Sequence, residues 1–332
     1  MASAGAGARA DSFRLDSFEP AYLALSRDGR LEARAAEARR ALESCRLCPR
    51  SCGARRQDGE RGTCQIGRHA VVSSAFPHLG EEGCLRGSRG SGTIFFSGCS
   101  LRCSFCQNAD ISWLVSGEEC SAWDLSAIML ALQERGCHNV NLVTPTHVVP
   151  QLIEAVALAA ARGLRLPIVY NTGAYDLVET LRLLDGIVDI YMPDFKFWTG
   201  ETAERYAAAP DYPERARHAI GEMHRQVGPL RFGADGLARR GVLVRHLVMP
   251  SLGEESAAIL EWLAREVSLD TWVNVMGQYH PSWQVGEPDG QGRRRFPRID
   301  RRPRSRELEA AREAARRGGL WRLDERPGGR VR

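Results

Sequence analysis

The sequence predicts an α/β fold, a partial (β/α)6 barrel with an N-terminal cysteine-rich metal-binding segment. Three observations predict it. From Thr93 onward, short β-branched runs alternate with helical patterns, the mark of parallel strands joined by crossover helices. Six such units follow one another. Of ten cysteines, four fall between Cys45 and Cys64 and three between Cys99 and Cys106, too clustered for ordinary buried thiols.

In chain order, residues 1–42 read as an N-terminal arm and an Ala/Arg-rich helix from about Leu31 to Leu42. Residues 43–90 form the cysteine-rich segment, 91–285 the barrel, and 286–332 an Arg-rich C-terminal extension with a helix. The expected strands are Thr93 to Phe96, Val140 to Val143, Pro167 to Tyr170, Ile187 to Met192, Val242 to Val248 and Trp272 to Met276. Between them, Leu125 to Glu134 reads as an amphipathic helix, with Ser121 or Asp124 as N-cap and Gly136 past its end. Val149 to Ala161, Asp176 to Leu184 and Glu254 to Val267 complete the helical set. Phe197 to Arg240 is too long for a simple connection; it carries a helical pattern from Arg215 to Val227 and is expected to cover the barrel mouth.

A chain of 332 residues can bury a large core. Its start has no apolar signal-peptide region, and no apolar stretch approaches the ~20 residues that span a bilayer. Cysteines without a secretory signal point to a reducing, cytoplasmic setting in which thiols serve as metal ligands. The net charge of +4 is modest, and the Arg-rich stretch near Arg293 to Arg304 reads as a solvated surface. Neither a membrane nor a nucleic acid is expected as a partner. Of 45 basic residues only Lys196 is lysine. Lysine is a compact point charge and arginine a planar fork, so a position that kept lysine is a candidate for a cation at close quarters.

The run Gly98-Cys99-Ser100-Leu101-Arg102-Cys103-Ser104-Phe105-Cys106 follows the first strand with spacing C-x3-C-x2-C. Three thiolates in one loop suit a cubane iron–sulfur cluster with one iron left open, whereas a zinc site usually draws four ligands from two separated pairs. Arg102 and Asn108 are candidate donors to the cluster sulfurs. Chemistry in a parallel barrel is built at the C-terminal strand ends, and polar motifs fall there: Thr144-Pro145-Thr146-His147, Asn171-Thr172-Gly173, Asp194-Phe195-Lys196 and Arg245-His246. Cys45, Cys48, Cys52 and Cys64, spaced C-x2-C-x3-C-x11-C, supply a second metal site, iron–sulfur or zinc. Cys84, Cys120 and Cys137 read as ordinary thiols.

The three-cysteine loop resembles the signature of the radical S-adenosylmethionine (radical SAM) superfamily. From about Cys45 to Leu323 the chain is similar to its pyruvate formate-lyase activating enzyme-like (PflX-type) iron–sulfur proteins. Cys45 to Arg50, Gly90 to Phe96, Asn141 to His147, Val188 to Lys196, Val244 to Pro250 and Asn274 to Met276 carry the likeness. The resemblance implies a radical SAM oxidoreductase with a 4Fe-4S cluster on Cys99, Cys103 and Cys106 and S-adenosyl-L-methionine chelated at the open iron. Reductive cleavage would give methionine and a 5′-deoxyadenosyl radical that abstracts hydrogen from a substrate. It implies cofactor contacts from Thr144, Thr146, Asn171, Asp194, Lys196, Arg245 and His246, with Lys196 also counted among the catalytic residues. As partners it implies a flavodoxin- or ferredoxin-type electron donor and a glycyl radical enzyme as substrate. Another peptide, a small molecule, or a non-catalytic iron–sulfur or zinc role are the alternatives. Two features depart from the activase pattern: the extra cysteines lie before the cluster loop, and a Gly-Gly-Glu-type turn is replaced by Thr144-Pro145-Thr146.

Overall fold

The computed structural model describes residues 12–324. Residues 1–11 of the expected N-terminal arm and 325–332 of the Arg-rich extension lie outside the described residues. The strands are β1 Ala70–His78, β2 Ser91–Phe96, β3 Glu118–Cys120, β4 Val140–Val143, β5 Ile168–Thr172, β6 Ile190–Pro193, β7 Arg231–Phe232, β8 Ala238–Leu247 and β9 Trp272–Met276. Strands β2, β4, β5, β6, β8 and β9 pair in that order, every pair parallel. These correspond to the six expected strands, with ends shifted by a few residues. Among the described residues no ladder joins β9 back to β2, so the sheet forms a partial barrel. Antiparallel β1 extends the sheet beside β2, with β3 outside it, and β7 pairs with β8.

The parallel strands are buried on both faces, which is why their sequences are mostly apolar rather than alternating, with Asn141, Asn171 and Thr172 as polar exceptions. The helix Val149–Ala161 coincides with its expected span and is buried over most of its surface, with Pro150 in its first turn. Each Val, Ile or Leu taken fully from water there contributes ~1.5–3 kcal/mol. Ala122–Glu134 starts on a reciprocal cap: Ser121 Oγ accepts from Asp124 N–H at 3.2 Å, and Asp124 Oδ2 accepts from Ser121 N–H at 2.9 Å. Ser121 is therefore the N-cap. The long connection holds two helices, Gly200–Ala207 and Tyr212–Val227, and the C-terminal helix spans Ser305–Arg317. Among the described residues, no helix is long and apolar enough to cross a membrane.

Hydrogen bonds tie the N-terminal region to the barrel at several points. Asp189, fully buried at the start of β6, accepts from Ala21 N–H at 2.9 Å and Ile168 N–H at 3.0 Å. The cysteine-rich segment packs on the loop after β2, where Arg50 Nε donates to Ser100 O at 2.8 Å and Arg102 donates to Thr63 O. Gly98 has φ +78°, and a side-chain carbon there would come within 2.4 Å of Cys64 O. The segment thus presses directly against the loop that carries Cys99.

Candidate active site

A cavity of about 300 Å³ opens at the C-terminal ends of the parallel strands. Its wall includes Cys99, Cys103 and Cys106 from the loop after β2, Thr144 after β4, Asn171 on β5, Asp194 and Lys196 after β6, and Arg245 on β8. Eight of the expected site residues, drawn from five strand ends, therefore share one cavity. Phe96, Phe105, Val143, Leu247 and Met276 supply apolar wall.

The polar side of the cavity is one connected ion network. An isolated parallel bridge sets Asp194 opposite Arg245. The Asp194 carboxylate accepts from Lys196 Nζ at 2.7 Å and from Arg245 Nε at 2.7 Å. Arg245 Nη2 donates to Asn171 Oδ1 at 2.8 Å. Burial alone would raise the Asp194 carboxyl, but the two cations outweigh it and hold the pKa at about 2. Burial likewise pulls the Lys196 ammonium down, and the adjacent Asp194 more than offsets this, leaving its pKa raised. The lone lysine is thus a charged ammonium held on the cavity wall.

Below this network sits a pair that sequence reasoning missed. Glu81 and Glu82 are buried between β4, β8 and β9. Glu81 accepts from Asn141 Nδ2 at 2.7 Å and Glu82 from Asn274 Nδ2 at 2.9 Å, while Arg245 Nη1 lies 3.6 Å from Glu81 and 3.9 Å from Glu82. Burial, then the hydrogen bond and charge of Glu82, push the Glu81 carboxyl up to about 8. Two adjacent glutamates read as surface charge in a sequence; only the asparagines at inward positions of β4 and β9 hinted at acceptors to satisfy.

Two expected cofactor contacts lie elsewhere. His246 is adjacent to Arg245 on β8, and successive strand residues face opposite sides, so Arg245 faces the cavity and His246 points away. Its Nδ1 donates to Phe195 O at 2.8 Å and its Nε2 accepts from Ser256 Oγ at 2.8 Å, leaving both ring nitrogens engaged in the fold. Thr146 is buried outside the cavity wall, its Oγ1 3.1 Å from Thr172 Oγ1, which donates to Asp176 at 2.6 Å. Thr144 does line the cavity, with φ +59°, an outlier for a β-branched residue. Its N–H donates to Asn171 O at 2.8 Å, which fixes the turn where the Gly-Gly-Glu type is missing. His147 is buried beneath the cluster loop, donating from Nε2 to Ser97 O at 2.8 Å. Burial lowers its pKa to about 3, so it is neutral.

The three cavity thiols fit a cubane. Leu101 N–H lies 3.4 Å from Cys99 Sγ, and Ser112 Oγ lies 3.1 Å from Cys106 Sγ, as hydrogen bonds to thiolate sulfurs require. Burial pushes the Cys99 thiol up to about 11, so a bound metal would have to displace its proton. Among the described residues no three Cys, His, Asp or Glu side chains converge as around a single metal ion. A cubane instead gives each thiolate its own iron, with the sulfurs further apart. The upstream thiols of Cys45, Cys48, Cys52 and Cys64 lie within electrostatic reach of one another, and burial pushes Cys48 up to about 12.

No family model matches the sequence. Among solved structures, the chain is similar to the radical S-adenosylmethionine methyltransferase TsrM from Kitasatospora setae, with 16% identity, TM-score 0.41, and coverage of 56% of this chain and 34% of that one. It is also similar to Streptococcus suis SuiB bound to precursor peptide SuiA, with 14% identity, TM-score 0.42, and coverage of 65% and 42%. The chain thus spans between a third and a half of the length of each. Among curated proteins, it is 30% identical over 316 residues to the uncharacterized protein MJ0674 of Methanocaldococcus jannaschii, covering 92% of this chain and 84% of that protein. The chain belongs to the family of that protein.

Proposed function

We propose that the chain is a radical SAM enzyme. The observation that carries the reading is the single cavity in which Cys99, Cys103 and Cys106 face Lys196, Asp194, Asn171 and Arg245 at the C-terminal strand ends. Cys99, Cys103 and Cys106 would hold a 4Fe-4S cluster, and the opposite wall would hold S-adenosyl-L-methionine. When bound, the pair supplies one-electron cleavage of the sulfonium to methionine and a 5′-deoxyadenosyl radical that takes a hydrogen atom from the substrate.

The chain's own residues bind and orient. Asp194 fixes the Lys196 ammonium on the cavity wall, where it would meet a carboxylate. Arg245 is held from three sides by Asp194, Asn171 and the Glu81–Glu82 pair, so its work is to fix Asp194 and Asn171 in place. Thr144 and Asn171 present polar groups beside the cluster loop. Phe96, Phe105, Leu247 and Met276 keep water from the reacting centre. His147 positions the loop through Ser97.

The finer reading takes the hydrogen from a glycine Cα on a partner protein, with a flavodoxin- or ferredoxin-type electron donor. It rests on the resemblance of Asp194-Phe195-Lys196 to the activase motif. The test is product analysis of the anaerobically reconstituted chain with S-adenosyl-L-methionine and a strong reductant. The reading expects 5′-deoxyadenosine and methionine in equal amounts, lost in Cys103→Ala; no 5′-deoxyadenosine above a protein-free control overturns it. Deuterium transfer into 5′-deoxyadenosine from a glycine-labelled partner would support the activase reading, and transfer only from a small molecule would replace it.

A further inference from the structure

Arg56 is a fully buried arginine without a carboxylate partner among the described residues. Its Nε donates to Gly67 O at 3.0 Å and its Nη1 to His147 O at 2.7 Å, both neutral acceptors. Nη1 also lies 3.7 Å from Cys45 Sγ, and Nη2 is buried with no hydrogen-bond partner. A buried cation left unpaired costs several kcal/mol, so this position calls for an anion. The groups near the guanidinium that can carry negative charge are the thiols of Cys45 and Cys64, and a thiol stays deprotonated in a buried site when a metal binds it.

The backbone folds the other three cysteines into the neighbourhood of Cys45, within electrostatic reach of one another. Cys45 N–H donates to Ala54 O at 3.0 Å and Gly53 N–H to Cys45 O at 2.9 Å, which folds the C-x2-C-x3-C run back on itself. Cys52 Sγ lies 3.9 Å from Cys45 O. A side-chain carbon at Gly62 would come 2.3 Å from Cys52 Sγ, so the irregular segment leading to Cys64 passes directly beside Cys52. A larger residue at position 62 would have to displace the Cys52 side chain. Four thiolates around one zinc would each stand ~2.3 Å from the ion; among the described residues no three ligand side chains converge in that way. A spread set of four thiols next to a buried cation suits a polynuclear cluster.

We infer that Cys45, Cys48, Cys52 and Cys64 hold a second iron–sulfur cluster, with Arg56 as its buried counter-charge. The site abuts the first cysteine loop: Cys64 O packs on Gly98, and Arg56 reaches His147, whose ring holds Ser97. The inference is independent of the proposed reaction, because it concerns ligands outside the cavity.

The test uses the full chain carrying C99A, C103A and C106A, reconstituted anaerobically with ferrous iron and sulfide and then desalted. The inference expects about four irons and about four sulfides per chain, with thiolate-to-iron charge-transfer absorption. Adding C48A and C64A should bring iron to background. A chain that retains zinc only, or no iron, overturns the inference. In the same background, R56M should move the cluster's midpoint potential to more negative values and R56K should restore it. A midpoint unmoved in R56M overturns the counter-charge. Should R56M fail to fold, the neutral but hydrogen-bonding R56Q takes its place, a midpoint unmoved in R56Q likewise overturning the counter-charge, and the iron and sulfide counts decide the cluster.

Discussion

Asp194→Asn is the perturbation that the ion network makes most quantitative. The carboxylate receives Lys196 Nζ and Arg245 Nε, each at 2.7 Å, with all three side chains largely buried. The network lowers its pKa from 3.8 to about 2, which at ~1.36 kcal/mol per unit is ~2.4 kcal/mol of stabilisation. Asparagine also leaves two buried cations with less counter-charge, which brings the expected loss to ~3–5 kcal/mol. Because the folded pKa is depressed, this stability is fully present above about 3.8 and is lost as pH falls through about 2. Urea denaturation at neutral pH should therefore show the full gap between wild type and D194N, and the gap should narrow only at strongly acid pH. D194N combined with Lys196→Met should cost less than the two single losses added, by ~1–3 kcal/mol, since removing the ammonium relieves one orphaned charge. A D194N chain within ~0.5 kcal/mol of wild type, or strict additivity in the double variant, would refute the network as described.

Three further outcomes follow from the same geometry. Lys196→Arg should keep its iron but bind S-adenosyl-L-methionine at least about tenfold more weakly by anaerobic calorimetry, a loss of ~1.4 kcal/mol, because a planar fork does not reproduce the compact point charge that Asp194 holds on the cavity wall; wild-type affinity would reduce the solitary lysine to coincidence. Gly98→Ala places a carbon 2.4 Å from Cys64 O in a left-handed backbone and should destabilise the chain by ~1–3 kcal/mol or more in a thermal melt, whereas an unchanged melting temperature would mean that the two cysteine segments are not pressed together. Glu81, ordinarily near 4.5, is raised to about 8, so the folded chain keeps a proton that the unfolded chain releases. Wild-type stability should accordingly fall as pH rises from about 4.5 to about 8, and Glu81→Gln should flatten that slope in urea titrations; equal slopes would count against it.

The six parallel strands were legible because strands buried on both faces are mostly apolar, and Val140-Asn141-Leu142-Val143 or Ile190-Tyr191-Met192 have few other uses. β1 escaped notice because Ala70 to His78 mixes small residues with Pro77 in an antiparallel flank, which carries no such requirement. The cavity residues were readable from their place after each strand. His246 was not, since its neighbour Arg245 already takes the inward position and strand geometry leaves the other face to the histidine. Thr146 likewise serves the buried Thr172–Asp176 network one layer out. Glu81, Glu82 and Arg56 were invisible for a shared reason: a charged residue in a loop is usually solvated, and only tertiary packing turns it inward.

The central claim is that an iron–sulfur cluster and S-adenosyl-L-methionine meet in the cavity shared by Cys99, Cys103, Cys106 and Lys196. The most direct measurement is electron paramagnetic resonance of the reduced, anaerobically reconstituted chain, recorded before and after adding S-adenosyl-L-methionine. The account predicts that a cluster signal absent from the C99A, C103A, C106A variant changes its g-values on addition, as cofactor binding at an open iron requires. A signal indifferent to S-adenosyl-L-methionine, or one that survives intact in the triple variant with no second component lost, would contradict it.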